Sequence, residues 1–364
     1  MQQTSLTTLF LDSTTVVGLH SSSLEGQTGF SVYNGDRNDQ DRTEYLNNIV
    51  ACNEYFMKLK EKMMKSKIRK TKSFSMSLNC HNVILVSDTL NDRIKVFNAT
   101  TKQFVTSIHA PSTKPWFLCV QEKYNGSDYD ALIFDCTGDK RAYKYDLHGL
   151  LLYYTNLGDN SQNHDQQEYP FIWKSTEFLS PQGIAIFDSK KEVYICDKFE
   201  SISVLDAATG LLKHKINLGV GLSGIFFTND EHLLLTEWIF FNTKHGFSMY
   251  SISPPERCSS NGQPSNHTED WEPVFELKQT GTMSGEFSYP STIIFDNTSK
   301  HIILGDFGNN RIQFFDIDGN FVTSFGEMGG SASQLHHPEG MCLNEETGEL
   351  LVVDQYNHRI QIYR

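Results

Sequence analysis

The stretch IILGDFGNNRIQFF, residues 302–315, joins two apolar, strand-like runs through a short polar centre built from Asp306, Asn309 and Arg311. β-Branched and aromatic residues suit a pleated, half-buried surface, and the Gly/Asn centre suits a tight turn. The same arrangement occurs twice more. VILVSDTLNDRIKVF (residues 83–97) carries Asp88, Asn91 and Arg93, and LLVVDQYNHRIQIY (residues 350–363) carries Asp354, Asn357 and Arg359. In each copy Asn follows the Asp by three residues and Arg by five. An internal repeat decides fold class before any single element does.

Degenerate copies fill the chain between them. ALIFDCTGDKRAYKYD keeps Asp135, EVYICDKFESISVLD keeps Asp197, and HLLLTEWIFFNTKHGFSMYSI places Glu237 at the acidic position. The six anchors Asp88, Asp135, Asp197, Glu237, Asp306 and Asp354 lie 47, 62, 40, 69 and 48 residues apart. The shorter spacings match four-stranded propeller blades, and the two long ones imply insertions. Each unit reads as four strands. Strand a follows Pro-x-Gly or a relative (Pro115, Pro181, Leu222, Pro290, Pro338), strand b ends on the anchor acid, and strand c follows the Asn/Arg turn. Strand d is assigned to segments starting at Gln103, Leu150, Leu211, Pro273 and Asn320. Without helical periods between them, these strands predict an all-β architecture.

The D-x-x-N-x-R-[IV] turn, the G-x-F-V-x-x-F-G segment and the P-x-G-[IM] strand start resemble NHL repeats, which build six-bladed β-propellers. The resemblance covers residues 74–364, strongest in the last two units. It implies a six-bladed NHL-type propeller with four-stranded blades, preceded by an N-terminal extension over residues 1–73. Because the sequence stops right after strand c of the sixth unit, the strand-like run Ser5–Leu19 is the expected closing strand, since an unpaired edge invites aggregation. Residues 20–42 read as a polar linker. Residues 43–72 read as an amphipathic helix, with Leu46, Ile49, Val50, Phe56, Leu59 and Met63 at helical spacing.

Composition narrows the function classes. The 364 residues carry 31 Lys+Arg against 44 Asp+Glu, a formal net charge of −13. Eight of the cations lie between Lys58 and Lys72 with one acid, Glu61, which leaves a balance of −20 elsewhere. An acidic body is a poor default for coating a polyanion. The basic segment 58–72 suits an acidic partner or an anionic surface, or it packs on the propeller with its lysines solvated. No run is long and apolar enough for a membrane-spanning helix, and the N-terminus lacks a cationic leader region, so a cytoplasmic location is expected. The seven cysteines are widely spaced and read as reduced thiols.

No catalytic or metal-binding set is expected, and no cofactor. Thirteen histidines include no HxH or HExxH pattern, and the adjacent pair His336–His337, beside Pro338, reads as loop surface. A metal-dependent lyase or lactonase, known among six-bladed relatives, ranks last. The repeated acids, and each Arg in its turn, read first as scaffold. The candidate binding residues are the aromatics just past the anchors, Phe199, Trp238, Phe307 and Tyr356, with Arg93, Arg311 and Arg359 near them. They fall on the face formed by the b–c and d–a loops, where the resemblance places ligand binding, and aromatics with Arg dominate binding hot spots. Trp173 joins them from an insertion, Gly158–Pro181, placed between strand d of unit two and strand a of unit three. A second insertion, Pro254–Pro273, lies between strands c and d of unit four, so the two are expected on opposite faces.

The function that follows is a non-enzymatic recognition module or scaffold for a protein or peptide. Many NHL propellers are the substrate-binding parts of ubiquitin ligases. With only Cys52 and Cys80 ahead of the blades to supply RING ligands, the expectation here is at most a substrate adaptor. Single-stranded RNA, bound by some NHL propellers, is the alternative, and the −20 balance weighs against it.

Overall fold

The computed structural model describes residues 7–10, 83–110, 113–124, 129–157, 169–197, 201–218, 221–238, 244–252, 271–344 and 347–364. The expected helix over 43–72, the linker and Phe199 lie outside these residues. The first strand, β1 (Thr7–Phe10), belongs to the last sheet. Blade one holds β2 (Val83–Asp88), β3 (Arg93–Asn98) and β4 (Phe104–His109) as strands b, c and d. Blade two holds β5 (Pro115–Gln121), β6 (Ala131–Cys136), β7 (Ala142–Asp146), helix α1 (Leu147–Leu157) and β8 (Trp173–Lys174). Blade three holds β9 (Pro181–Phe187), β10 (Glu192–Asp197), β11 (Ser201–Asp206) and β12 (Leu212–Asn217). Blade four holds β13 (Leu222–Phe227), β14 (His232–Trp238), β15 (His245–Ser251) and β16 (Glu272–Lys278). Blade five holds β17 (Pro290–Asp296), β18 (His301–Asp306), β19 (Arg311–Phe315) and β20 (Phe321–Phe325). Blade six holds β21 (Pro338–Asn344), β22 (Glu349–Asp354) and β23 (Arg359–Tyr363), with β1 as its outermost strand.

Together these sheets form a six-bladed β-propeller. Burial falls from the inside outward. β22 and β6 are buried along their whole length, while β12 and β20 are mostly exposed. Inner strands are covered on both faces by neighbouring blades, so strand b reads as a continuous apolar run rather than an alternating one. Strand a begins on a residue whose pairing register shifts at once, as between Pro338 and Met341 and between Pro115 and Leu118. Proline is tolerated there because a strand's first residue owes no ladder hydrogen bond. Inner strands also approach closely. A Cβ on Gly183 would lie 2.1 Å from the Ser223 carbonyl oxygen of the next blade, so only glycine fits.

β1 pairs antiparallel with β23, with Leu9 opposite Ile360 and Phe10 opposite Arg359. Blades six and one share one apolar core, in which Leu351, Val353 and Ile362 pack with Val83, Leu85 and Val96. An ion pair spans the same joint, Lys102 Nζ to Glu349 Oε2 at 2.7 Å. Burial works against the Glu349 charge, but Lys102 and Arg364 hold its carboxyl below the usual range. The four described cysteines, Cys119, Cys136, Cys196 and Cys342, are buried free thiols. No helix among the described residues is long and apolar enough to cross a membrane.

Blade two corrects two expectations. The segment starting at Leu150 is not strand d but part of α1, because Leu147, Leu150, Leu151 and Tyr154 form one buried helical stripe. Tyr154 Oη donates to the His109 carbonyl at 2.9 Å, fixing that stripe against blade one. Strand d is instead the two-residue β8, so the first insertion is a c–d connection like the second. The ends of β7 and β15, from which these two c–d connections start, lie on the same face of the ring, opposite the b–c and d–a loops.

Candidate functional site

Each strong repeat builds the same clamp at the end of strand b. Asp306 accepts from the Ser288 amide at 2.8 Å, Asn309 Nδ2 at 2.9 Å, Arg311 Nε at 2.8 Å and Gln313 Nε2 at 3.0 Å. Asp354 accepts in the same way from the His336 amide, Asn357, Arg359 and Gln361. The arginine then ties down the d–a loop. Arg311 donates to the carbonyls of Thr282, Met283 and Glu286, and Arg359 to those of Gly330, Ser331 and Gln334. Buried carboxylates and carbonyls are satisfied by one planar, always-charged donor set, which suits Arg over Lys.

The consequence falls on the candidate residues. Arg359 is 4% exposed and its guanidinium is bonded throughout, so it is scaffold and not a surface contact. Arg311 is committed in the same manner, and Arg93 pairs with Asp88 at 2.8 Å. Trp173 is likewise withdrawn from the surface. Its side chain is 5% exposed, its Nε1 donates to the Ala207 carbonyl at 3.1 Å, and its ring fills the space above Gly210. Trp238 ends β14 with its backbone opposite His245.

Phe307 and Tyr356 come together with His336 and His337, the pair expected on loop surface. Phe307 lies 4.2 Å from His337, His337 lies 4.8 Å from Tyr356, and His336 lies 5.0 Å from both His337 and Tyr356, ring centre to ring centre. The result is a half-buried ledge across the joint of blades five and six, on the b–c and d–a loop face. It is held from below. The b–c turn closes on a residue in the left-handed region, Asn310 at φ 57°, whose Oδ1 accepts from the His337 amide at 2.9 Å. The Tyr356 amide donates to the His336 carbonyl at 3.1 Å. His337 is also left-handed, at φ 57°, which turns the chain sharply into Pro338.

Burial holds the His337 imidazole down to about 4, with His336 beside it adding to the effect, and burial lowers His336 as well. The ledge is therefore uncharged at neutral pH. A similar pair marks the next joint. Tyr289, also left-handed and directly before a proline, lies 4.3 Å from His245 with the rings tilted by 45°, and its amide donates to His245 Nδ1 at 3.1 Å. The sequence signal for His337 and Tyr289 is their shared position, the residue before the proline that opens strand a.

The middle blades have traded the clamp for other partners. Asp135 accepts from the Phe117 amide at 2.8 Å, and its other oxygen is buried without a donor among the described residues. With no arginine beside it, burial pushes its carboxyl up to about 8. Asp197 accepts from the amides of Leu179 and Ser180, and Glu237 pairs with Lys278 at 2.8 Å.

Comparison with known proteins agrees with this geometry. The family model for the NHL repeat matches residues 335–363, which span β21, β22 and β23 with the Asp354/Asn357/Arg359 turn. Protein brain tumor of Drosophila melanogaster is 39% identical over 84 residues, which are 23% of this chain and 8% of that protein. Among solved structures, hydrazine synthase of Kuenenia stuttgartiensis superimposes with a TM-score of 0.52 at 10% identity, covering 81% of this chain and 99% of that one. That last likeness is one of fold alone. The sixth blade thus matches the NHL repeat, and the ring to which it belongs is a six-bladed β-propeller.

Proposed function

We propose that this propeller is a non-enzymatic recognition module that captures a protein or peptide segment on its loop face, as a substrate adaptor or scaffold. The observation that carries this reading is the ledge of Phe307, His337, His336 and Tyr356. Half-buried aromatic groups, rigidly held and uncharged, present large contact area at small entropic cost. An apolar or aromatic side chain from an extended segment fits such a surface, with imidazole and phenol groups left to fix its orientation. Single-stranded RNA fits less well, because the cations nearest the ledge, Arg311 and Arg359, are spent on Asp306, Asp354 and loop carbonyls.

The test is a crosslinking pull-down from native lysate with the wild-type chain and a Phe307→Ala/Tyr356→Ala variant of matched thermal stability. Loss of captured proteins in the variant is the expected result. An unchanged capture profile rejects the ledge as the site, and salt-sensitive retention of single-stranded RNA on filters favours the nucleic-acid reading instead.

A further inference from the structure

Between blades one and two, walled by α1, lies a cavity of about 180 Å³. Phe134, Tyr143, Tyr145, Tyr154, Tyr169 and Asp139 line it. It is remote in sequence from the ledge and independent of that reading. Tyr143 and Tyr145 share one face of β7 and stack with Phe134 at 5.8 and 5.7 Å. Tyr154 is fixed through its bond to the His109 carbonyl. Tyr169 is fixed by close approach to α1, where a Cβ on Gly149 would lie 1.8 Å from its hydroxyl oxygen. These rings do not fill the space they enclose.

The polar end of the cavity is one carboxylate. Tyr143 donates its hydroxyl to Asp139 Oδ2, while Asp139 Oδ1 is buried and has no donor among the described residues. Among the described residues no lysine or arginine lines the cavity, and the one ionisable base on its wall is His109. A buried acceptor left without a donor is costly, and an occupant that brings positive charge removes that cost. Aromatic faces around a carboxylate favour a cation whose charge is spread over alkyl or planar nitrogen groups, since the ring quadrupoles attract it without requiring further hydrogen bonds. We propose that this inter-blade cavity binds a compact organic cation, an alkylated ammonium or a guanidinium group, with its charge against Asp139 and its body between the tyrosines.

Such a cation is either a free small molecule or the side chain of a partner, and calorimetric titration of the full chain separates the two. The probes are choline, the neutral isostere of choline with carbon in place of nitrogen, and a peptide carrying trimethyllysine. Saturable choline binding, tighter than that of the neutral isostere by roughly tenfold, is expected. Asp139→Asn, which keeps an acceptor for Tyr143, is expected to reduce choline affinity by a similar factor without lowering thermal stability. Tighter binding of the peptide than of choline assigns the cation to a partner's side chain, and equal binding assigns it to a free molecule. Equal affinity for choline and its neutral isostere overturns the proposal, as does the absence of saturable binding by both cations.

Discussion

Arg359 Nε donates to Asp354 Oδ2 at 2.7 Å, and the two side chains are 5% and 0% exposed. A pair this deep is expensive to desolvate, and it is tolerated because both terminal nitrogens of the guanidinium donate to carbonyls of the d–a loop, three in all. That makes the pair a hinge pin between a strand end and the loop that presents the ledge.

Arg359→Ala leaves Asp354 and three loop carbonyls without their donor. It is expected to destabilise the chain by about 3 kcal/mol in urea unfolding. Arg141→Ala is the control, because Arg141 pairs with an exposed Glu177, and it is expected to cost less than about 1 kcal/mol. Equal losses for the two variants contradict the clamp's role.

Asp135 sets a pH dependence of definite sign. Its folded-state value is raised to about 8 by burial, whereas an unfolded aspartate titrates near about 4. The folded chain therefore holds a proton that the unfolded chain releases. The stability this contributes is complete below about pH 4 and is lost as pH rises to about 8. Asp135→Asn removes the titration, so the variant is expected to melt about 2–4 °C above wild type at pH 8.5, with the difference narrowing steadily toward about pH 4. Glu339, also raised to about 8 by burial, preserves part of the slope in the variant. Parallel melting curves across this range contradict the assignment.

The edge of blade six offers a third test. Proline at position 9, opposite Ile360, removes a backbone N–H and fixes φ within the four-residue β1, which strains the β1 pairing. Leu9→Pro is expected to speed amide exchange across 359–363 and lower the melting temperature, as measured by hydrogen-exchange mass spectrometry and calorimetry. Unaltered exchange in β23 contradicts a structural role for β1.

Much of the fold was legible because its signals are local. The Asp306/Asn309/Arg311 spacing encodes a turn whose side chains fold back on their own strand end, so three copies announce the blade without reference to neighbours. The eight residues Leu150–Leu157 were not legible in that way. A short apolar run suits a strand or a helix, and contact with blade one selected the helix. Trp173 read as an exposed aromatic among polar residues, yet the space over Gly210 in the next blade receives it.

The sequence by itself determined the repeat, the blade count and the pairing of Asp88, Asp306 and Asp354 with their own turns, since each of these turns is built from contacts within a few residues. Tertiary structure alone decided which aromatics form a surface. Phe307 meets His337 from the next blade, and Tyr143 meets Phe171 across a c–d connection, because blade packing and ring closure, not spacing along the chain, set those distances.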